Sequence, residues 1–565
     1  MSIPFISKKE WYFVLVFSII IMSITLLPYL YAIHITPPNF QFMGQHQINT
    51  CDTYTYIAWI QQANEGHFLF KDPYCVESQR RILFHPLFLV MGHFARIFNF
   101  SNIFTYHLFR IFFGFIFLFI AYIFISYFLK GILKRGVCFL LLTFSSGFGW
   151  IVGNYSIDLW QIETITFLNL LESPLNLLSL ILMLTIFILT LEFFKNPKLK
   201  YAVGSGIALL SLSLIHTYDI FIVWLTIGFF IFLKFLIKDL KPKITLKYCF
   251  IMAVILLPGI LYDYYAINNS PSLKWWFENG GITLNKSFLA YISGFGLIFF
   301  LALIGILKII KNKNWNSFFI LAWIIASSFL SSQSFLPFQR KFTEGLHIPM
   351  VILATLGLFL LSDYLKNKWT QKGFSFSFQK VKVIFLSIII SFTSLSNINV
   401  VLTDIALFDY FSKNQDQNIK IYLACSIYLD KSYLEAVDWL KNNTHSSEIV
   451  LSGYSISNLI PGLSGNIVFA GYIPRTINIS KKMNQLKHFI EDDEKKEQKY
   501  KFLKKYKIAY LLYSPDLFTD HSSDLFPDYS PDFFYNYNLE NFHPEKMEYL
   551  KPVYKNEKAV IYKVL

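Results

Sequence analysis

Charge is scarce in this sequence: Asp, Glu, Lys and Arg together supply 15% of its 565 residues. A water-soluble chain of this length carries about a quarter of its residues charged. Here 54% are hydrophobic and 19% aromatic, with a mean hydropathy of +0.45. That excludes an entirely soluble fold and makes lipid the solvent for much of the chain. Cysteine is scarce too. The five present show no metal-ligand spacing; Cys138 and Cys249 fall in apolar runs and read as packing residues. Cys51 and Cys75 flank one polar stretch, and a disulfide between them stays an open alternative. The glycines of "SGYSISNLIPGLSG" lack phosphate-loop spacing and read as turns. No internal repeat or low-complexity linker is present.

The net charge of +14 does not point to nucleic acid, because the cations form no stripe. They fall in short runs between apolar segments, which is a signal of membrane topology. Apolar runs of spanning length, about 17–25 residues, start near Trp11, Asn102, Gly136, Ser173, Tyr201, Tyr218, Leu246, Ser287, Trp315, Gly345 and Lys380. The expected fold is a polytopic α-helical membrane protein of about eleven helices. The first run, Trp11 to Ile35, is too long for a signal-peptide core and lacks a small-residue cleavage site, so it reads as a retained span.

Basic residues mark alternate connections. Lys8 and Lys9 precede the first span. Later come Lys130, Lys134 and Arg135; Lys195, Lys198 and Lys200; Lys234 to Lys247; Lys308, Lys311 and Lys313; and Lys366 to Lys382. The connection from Asn154 to Glu172 carries Asp158, Glu163 and Glu172 and no base. By the positive-inside rule the lysine loops and the N-terminus are cytoplasmic, and an odd number of spans puts everything after about Val400 outside. Residues 1–402 then form a transmembrane domain whose first outer loop is 37–102, and 403–565 an extracytoplasmic α/β domain. In that tail "YLEAVDWLKNN" reads as a helix, "EIVLS", "NIVFAG" and "IAYLLYS" as strands, "KKMNQLKHFIEDDEKKEQKYKFLKKY" as a long charged helix, and "VYKNEKAVIYKVL" as a hairpin.

An outward-facing site has no ATP, so group transfer there needs a pre-activated donor that crosses in the lipid. A sugar on polyprenyl phosphate is one. The reaction then requires a base for the acceptor hydroxyl and cations for the departing phosphate. A carboxylate at the membrane surface suits the first task, and arginine's planar fork suits the second.

"CDTYTYIAWIQQANEGHFLFKDPYC", after the first span, resembles the first outer loop of the GT-C superfamily of membrane glycosyltransferases. In order along the chain, "SSGFGWI", "SLIHTYD", "LPFQRKFTEGLHIPMVILA" and "SNLIPGLSGNIVFAGYIPRT" look like a bacterial branch of it, related to the protein mannosyltransferase and aminoarabinose transferase group. The resemblance covers most of the chain and implies that Asp52 is the catalytic base. Many members carry two adjacent acidic residues here, whereas Cys51 precedes Asp52. The second acidic role stays unassigned, with Asp72 and Glu163 as candidates.

Each residue also has a plain reading. Asp52 would cap the helix that Gly66 ends, a role compatible with catalysis. Arg80 and Arg81, in "ESQRRILFHP", either anchor a helix at headgroup level or contact the donor phosphate. Arg340 and Lys341 stand at the outer end of a span, where the positive-inside rule disfavours them, and a lipid phosphate explains them; Glu344 would pair with Lys341. His85 and His216 are structural or substrate contacts, and Asp219 a helix cap. The charged tail helix is a solvated face.

The function these features imply is transfer of a sugar from a polyprenyl-phosphate donor to a lipid, glycan or protein acceptor on the extracytoplasmic face of the cell's inner (plasma) membrane. Asp52 would be the base and Arg340 and Lys341, with Arg80 or Arg81, the phosphate ligands, with inversion at the sugar carbon. No cofactor is demanded; a divalent ion on Asp52 and a second carboxylate is compatible with the outer loops, though no ligand spacing calls for it. Partners are the bilayer, the donor and the acceptor, and not nucleic acid. The alternatives are an outer-face glycan polymerase or ligase, a non-catalytic glycan binder, and a transporter; the last is disfavoured by how few charges lie mid-span.

Overall fold

The computed structural model describes residues 4–46, 48, 50–280, 287–312, 315–336, 338–371, 378–414, 427–491, 496–518 and 537–565. Every apolar run read from the sequence folds as helix. Among the described residues seven helices are long and apolar enough to cross a membrane: Lys8–His34, Asn102–Phe128, Ile132–Tyr155, Pro174–Lys195, Asp219–Leu236, Pro242–Asn269 and Gln339–Lys368. Two further candidates are bent pairs, Phe288–Phe295 with Leu297–Lys311 (91°) and Lys382–Thr393 with Leu395–Lys413 (41°), which raises the count to nine. The last two of the eleven runs, Leu199–Ile215 and Phe318–Ser331, hold 17 and 14 residues, short of the ~20 that span a bilayer at 1.5 Å per residue. The chain is a multi-pass membrane protein with a C-terminal sheet domain.

Packing divides the chain into two compact units. The first comprises Met1–Leu27, Leu108–Asp263 and Ile282–Thr403. Its core is aromatic: Trp323, fully buried, packs edge-on against Phe187 at 4.8 Å and Phe124 at 6.0 Å. Leu297–Asn312 lies so close to His347–Gln371 that a Cβ on Gly305 would stand 2.0 Å from the Leu353 carbonyl oxygen, and one on Gly357 1.9 Å from that of Leu301. Glycine at both positions lets the backbones meet, as is common where helices associate in lipid. Arg110, fully buried, donates to the Leu170 carbonyl at 2.7 Å, so its charge is not left without an acceptor.

The second unit comprises Pro28–His107, Tyr264–Gly281 and Asp404–Leu565. It holds strands β1 (Phe40–Phe42), β2 (Tyr428–Asp430), β3 (Ile449–Leu451), β4 (Ile467–Val468), β5 (Ile508–Tyr513), β6 (Leu550–Lys555) and β7 (Val560–Val564). β3 to β7 form one sheet in the order β4-β3-β5-β7-β6, with β3 parallel to β4 and β5 and the final hairpin antiparallel. Val450, Leu451, Leu511, Leu512 and Ile561 are fully buried between the sheet and its helices, as a sheet flanked by helices requires. The helix Lys431–Asn443 is capped by Asp430, whose carboxylate accepts from Ser432 N at 2.8 Å. The long charged helix expected in the tail is two, Ile479–Glu491 and Lys496–Lys505, with the residues between them outside the described ones.

The loop after the first span belongs to this second unit. β1 pairs antiparallel with β2, Phe40 opposite Asp430, and Met43 N donates to Ile427 O at 2.8 Å. The loop helix Thr50–Asn64 packs on Tyr454–Leu463 of the tail, where Gly462 leaves just enough room for Ile57. Loop and tail together therefore place Asp52.

Candidate functional site

Asp52 lies in the first turn of Thr50–Asn64, two residues inside the helix and not at its cap as the sequence suggests. A carboxylate there is favoured by the unpaired amide protons of the helix start. The helix stops at Asn64, where Gly66 N donates to Ala63 O at 2.9 Å. The Asp52 side chain is half-buried, and its Oδ1 accepts a hydrogen bond from the Tyr472 hydroxyl.

Tyr472 follows β4 in the tail and is held from several sides. Its carbonyl accepts from Arg475 N and Thr476 N, each at 3.0 Å, and Gly471 N donates to Thr476 Oγ1 at 3.1 Å. Its ring packs at 5.9 Å on Tyr74, whose hydroxyl donates to Asn458 O at 2.9 Å. Burial, and then the facing Asp52 carboxylate, push the Tyr472 phenol well above its usual range. It stays a neutral donor.

Three residues on, Arg475 Nη1 lies 3.8 Å from Asp72 Oδ2. Its guanidinium sits 5.5 Å from the Trp59 ring and 5.7 Å from that of Trp276, one indole on the loop helix and the other on the 264–281 segment. Asp72 is buried and accepts from Tyr74 N at 3.1 Å. Burial raises its carboxyl, and Arg475 pulls it partly back. So Asp72 is an internal counter-ion for Arg475.

The other loop residues are mostly structural. Arg81, half-buried, donates to Gln62 Oε1 at 2.7 Å, while Arg80 is exposed. His85 stacks on Phe88 at 4.2 Å and lies 5.7 Å from Trp59, at the start of Pro86–Phe98. Cys75 is a free, buried thiol that donates to Glu77 at 3.2 Å; the Cys51 side chain lies outside the described residues.

In the first unit Glu163 gathers the two cations singled out in the sequence. Lys341 Nζ lies 2.7 Å and Arg340 Nη2 3.2 Å from its Oε1. Burial would raise the Glu163 carboxyl, but Arg340 and Lys341 outweigh it and hold it at about 2. The arrangement is pinned by Gly345 N donating to Glu163 O at 2.9 Å, and by Gln161 and Thr164 bonding Thr343 at 2.8 Å and 2.7 Å. Arg340 also sits 5.8 Å over the Trp160 ring. Lys341 pairs directly with Glu163, while the nearby Glu344, on which Lys341 also acts electrostatically, is fully buried with neither oxygen hydrogen-bonded among the described residues.

His216 closes Leu199–Ile215 and its Nδ1 lies 2.8 Å from Asp219 Oδ2, which also accepts from Ser179. Asp219 opens the next helix but bonds side chains rather than capping backbone. The "SSGFGWI" turn is held by buried Asp158, which accepts from Gly147 N at 2.7 Å and Gly149 N at 3.3 Å.

Among the described residues no three His, Cys, Asp or Glu side chains converge to hold a metal ion. The residues that sequence reading missed are Tyr472, Arg475, Trp59 and Trp276. The first two sit in the "SNLIPGLSGNIVFAGYIPRT" segment, where a tyrosine and an arginine flank Ile-Pro directly after a strand.

No protein-family model and no curated protein sequence matches the chain. Solved structures do. The apo oligosaccharyltransferase of Archaeoglobus fulgidus superposes with a TM-score of 0.53 at 14% identity, over 88% of this chain and 70% of that one. The same enzyme, AglB, in complex with an inhibitory peptide and a dolichol-phosphate gives 0.51 at 14%, over 88% and 69%. ArnT from Cupriavidus metallidurans bound to undecaprenyl phosphate gives 0.47 at 10%, over 98% of both chains. The chain shares the fold of the Archaeoglobus fulgidus oligosaccharyltransferase.

Proposed function

We propose that the protein is a membrane glycosyltransferase that moves a sugar from a polyprenyl-phosphate donor to an acceptor hydroxyl on the extracytoplasmic face, with the N-terminus cytoplasmic and Asp52 as the base. The observation that carries this is the Asp52 carboxylate: half-buried, on the loop after the first span, with Oδ1 taken by Tyr472. In the step, the acceptor O–H proton passes to Asp52 as the acceptor oxygen bonds the anomeric carbon. The bond from that carbon to the phosphate oxygen breaks, and its electrons leave on the lipid phosphate. A single displacement inverts the sugar carbon.

The roles proposed for Arg340 and Lys341 are to hold the donor phosphate, for which a guanidinium and an ammonium side by side suit them. Exposed Arg80 is a further candidate; Arg81 is less suited, being engaged with Gln62. The AglB fold, crystallised with a dolichol-phosphate, supports a lipid-phosphate leaving group. The same residues would serve a donor carrying a whole glycan. Membranes containing the protein, given labelled polyprenyl-phosphate sugars and lipid-linked glycans with native membrane extract as acceptor, test the proposal. Transfer of single sugars supports it, transfer of glycans alone shifts it to a ligase, and transfer from neither contradicts it.

A further inference from the structure

We infer that Tyr472 is a positioning residue for the base, its hydroxyl fixing which oxygen of Asp52 takes the acceptor's proton. This rests on the reading of Asp52 given above. A free carboxylate on a helix's first turn turns about its Cβ–Cγ bond and offers either oxygen. Here Oδ1 is occupied, so Oδ2 is the acceptor of the incoming proton. The donor is not a loose surface side chain. Its backbone is tied by the turn through Thr476 and Arg475, and its ring rests on Tyr74, whose own hydroxyl is anchored to Asn458. A Cβ on Gly471 would stand 2.7 Å from the Tyr74 ring, so the segment fits closely there.

Among the described residues the titratable and charged groups facing Tyr472 include Tyr74, against its ring, and Asp52, Tyr56 and Arg475. Asp52 is its hydrogen-bond acceptor and Arg475 is committed to Asp72. The tail thus orients a base carried on a loop distant in sequence.

The test compares kcat and KM for the full chain in proteoliposomes, using whichever labelled polyprenyl-phosphate donor supports transfer. The variants are Tyr472→Phe, Asp52→Asn, the double variant, and a singly fluorinated tyrosine placed at 472. Tyr472→Phe is expected to lower kcat, counted per folded protein, about tenfold or more with donor KM little changed. The fluorinated tyrosine keeps both the ring and the hydroxyl donor, so its kcat stays near wild type, which separates loss of the hydrogen bond from loss of the ring's packing. The double variant should be no slower than Asp52→Asn. A Tyr472→Phe kcat equal to wild type, or a fluorinated tyrosine as slow as Tyr472→Phe, beside an inactive Asp52→Asn, overturns the inference alone. A wild type inert with every donor, or an active Asp52→Asn, overturns the base and the inference with it.

Discussion

Lys341 Nζ meets Glu163 Oε1 at 2.7 Å, and the same oxygen takes Arg340. The two basic residues that the sequence reading sets against the positive-inside pattern therefore meet an acid of the 154–172 connection. Glu163→Gln removes that balance and leaves two cations facing a neutral amide. Breaking a buried ion pair costs about 3–5 kcal/mol, and the depressed Glu163 carboxyl sets a similar scale, about 3 kcal/mol.

Because the folded-state value lies below the unfolded one, that stability is present above pH ~4.5 and is lost as the pH falls toward about 2. Thermal melts should show Glu163→Gln well below wild type at pH 7, with the gap closing in acid. Parallel curves at all pH values would contradict the ion-pair account.

The Asp72–Arg475 pair has the opposite sign. Burial raises the Asp72 carboxyl, and Arg475 restrains the rise. Arg475→Gln lets it climb further, so the protonated form becomes the one that folds well. The variant should lose about 2–4 kcal/mol at pH 7.5 and clearly less near pH 4.5. Adding Asp72→Asn should recover part of the loss, and a melt series across pH measures all three proteins.

The "SSGFGWI" turn is read as packing. A Cβ on Gly147 would lie 2.0 Å from the Ser293 carbonyl oxygen, and Phe148 N donates to that same oxygen at 2.7 Å. Gly147→Ala should cost about 2 kcal/mol or more through overpacking, seen as a lower melting temperature in detergent. Any loss of transfer should follow the loss of folded protein.

The parts of the fold set by local chemistry are legible in the sequence. Apolar runs become helices, and the short β-branched runs "EIVLS" and "IAYLLYS" become β3 and β5. Asp52 stands out because a carboxylate in an aromatic loop after the first span is unusual, and Arg340 and Lys341 because the positive-inside reading expects no cations at that helix end.

The partners of these residues are not legible, since a charge does not say which opposite charge will meet it. Glu163 reads as a candidate second acid or an ordinary surface carboxylate until the 339–345 turn brings it two cations. Tyr472 lies in a segment noticed for its order along the chain, yet its hydroxyl has meaning only once the tail packs on the loop helix. Nor does composition reveal the 91° bend at Gly296, where a φ of 51° opens a left-handed conformation that costs glycine little. Asp52 as a helix cap failed for a local reason: the helix starts at Thr50.

The measurement that bears most directly on the account is sugar transfer by wild type and Asp52→Asn, compared at equal expression and equal melting temperature. Asparagine keeps the shape and can still accept the Tyr472 hydrogen bond through its carbonyl oxygen, but it cannot take a proton. The account predicts loss of transfer by about two to four orders of magnitude with donor binding retained. Transfer by Asp52→Asn at the wild-type rate would contradict it and leave Asp52 a carboxylate at the start of a helix.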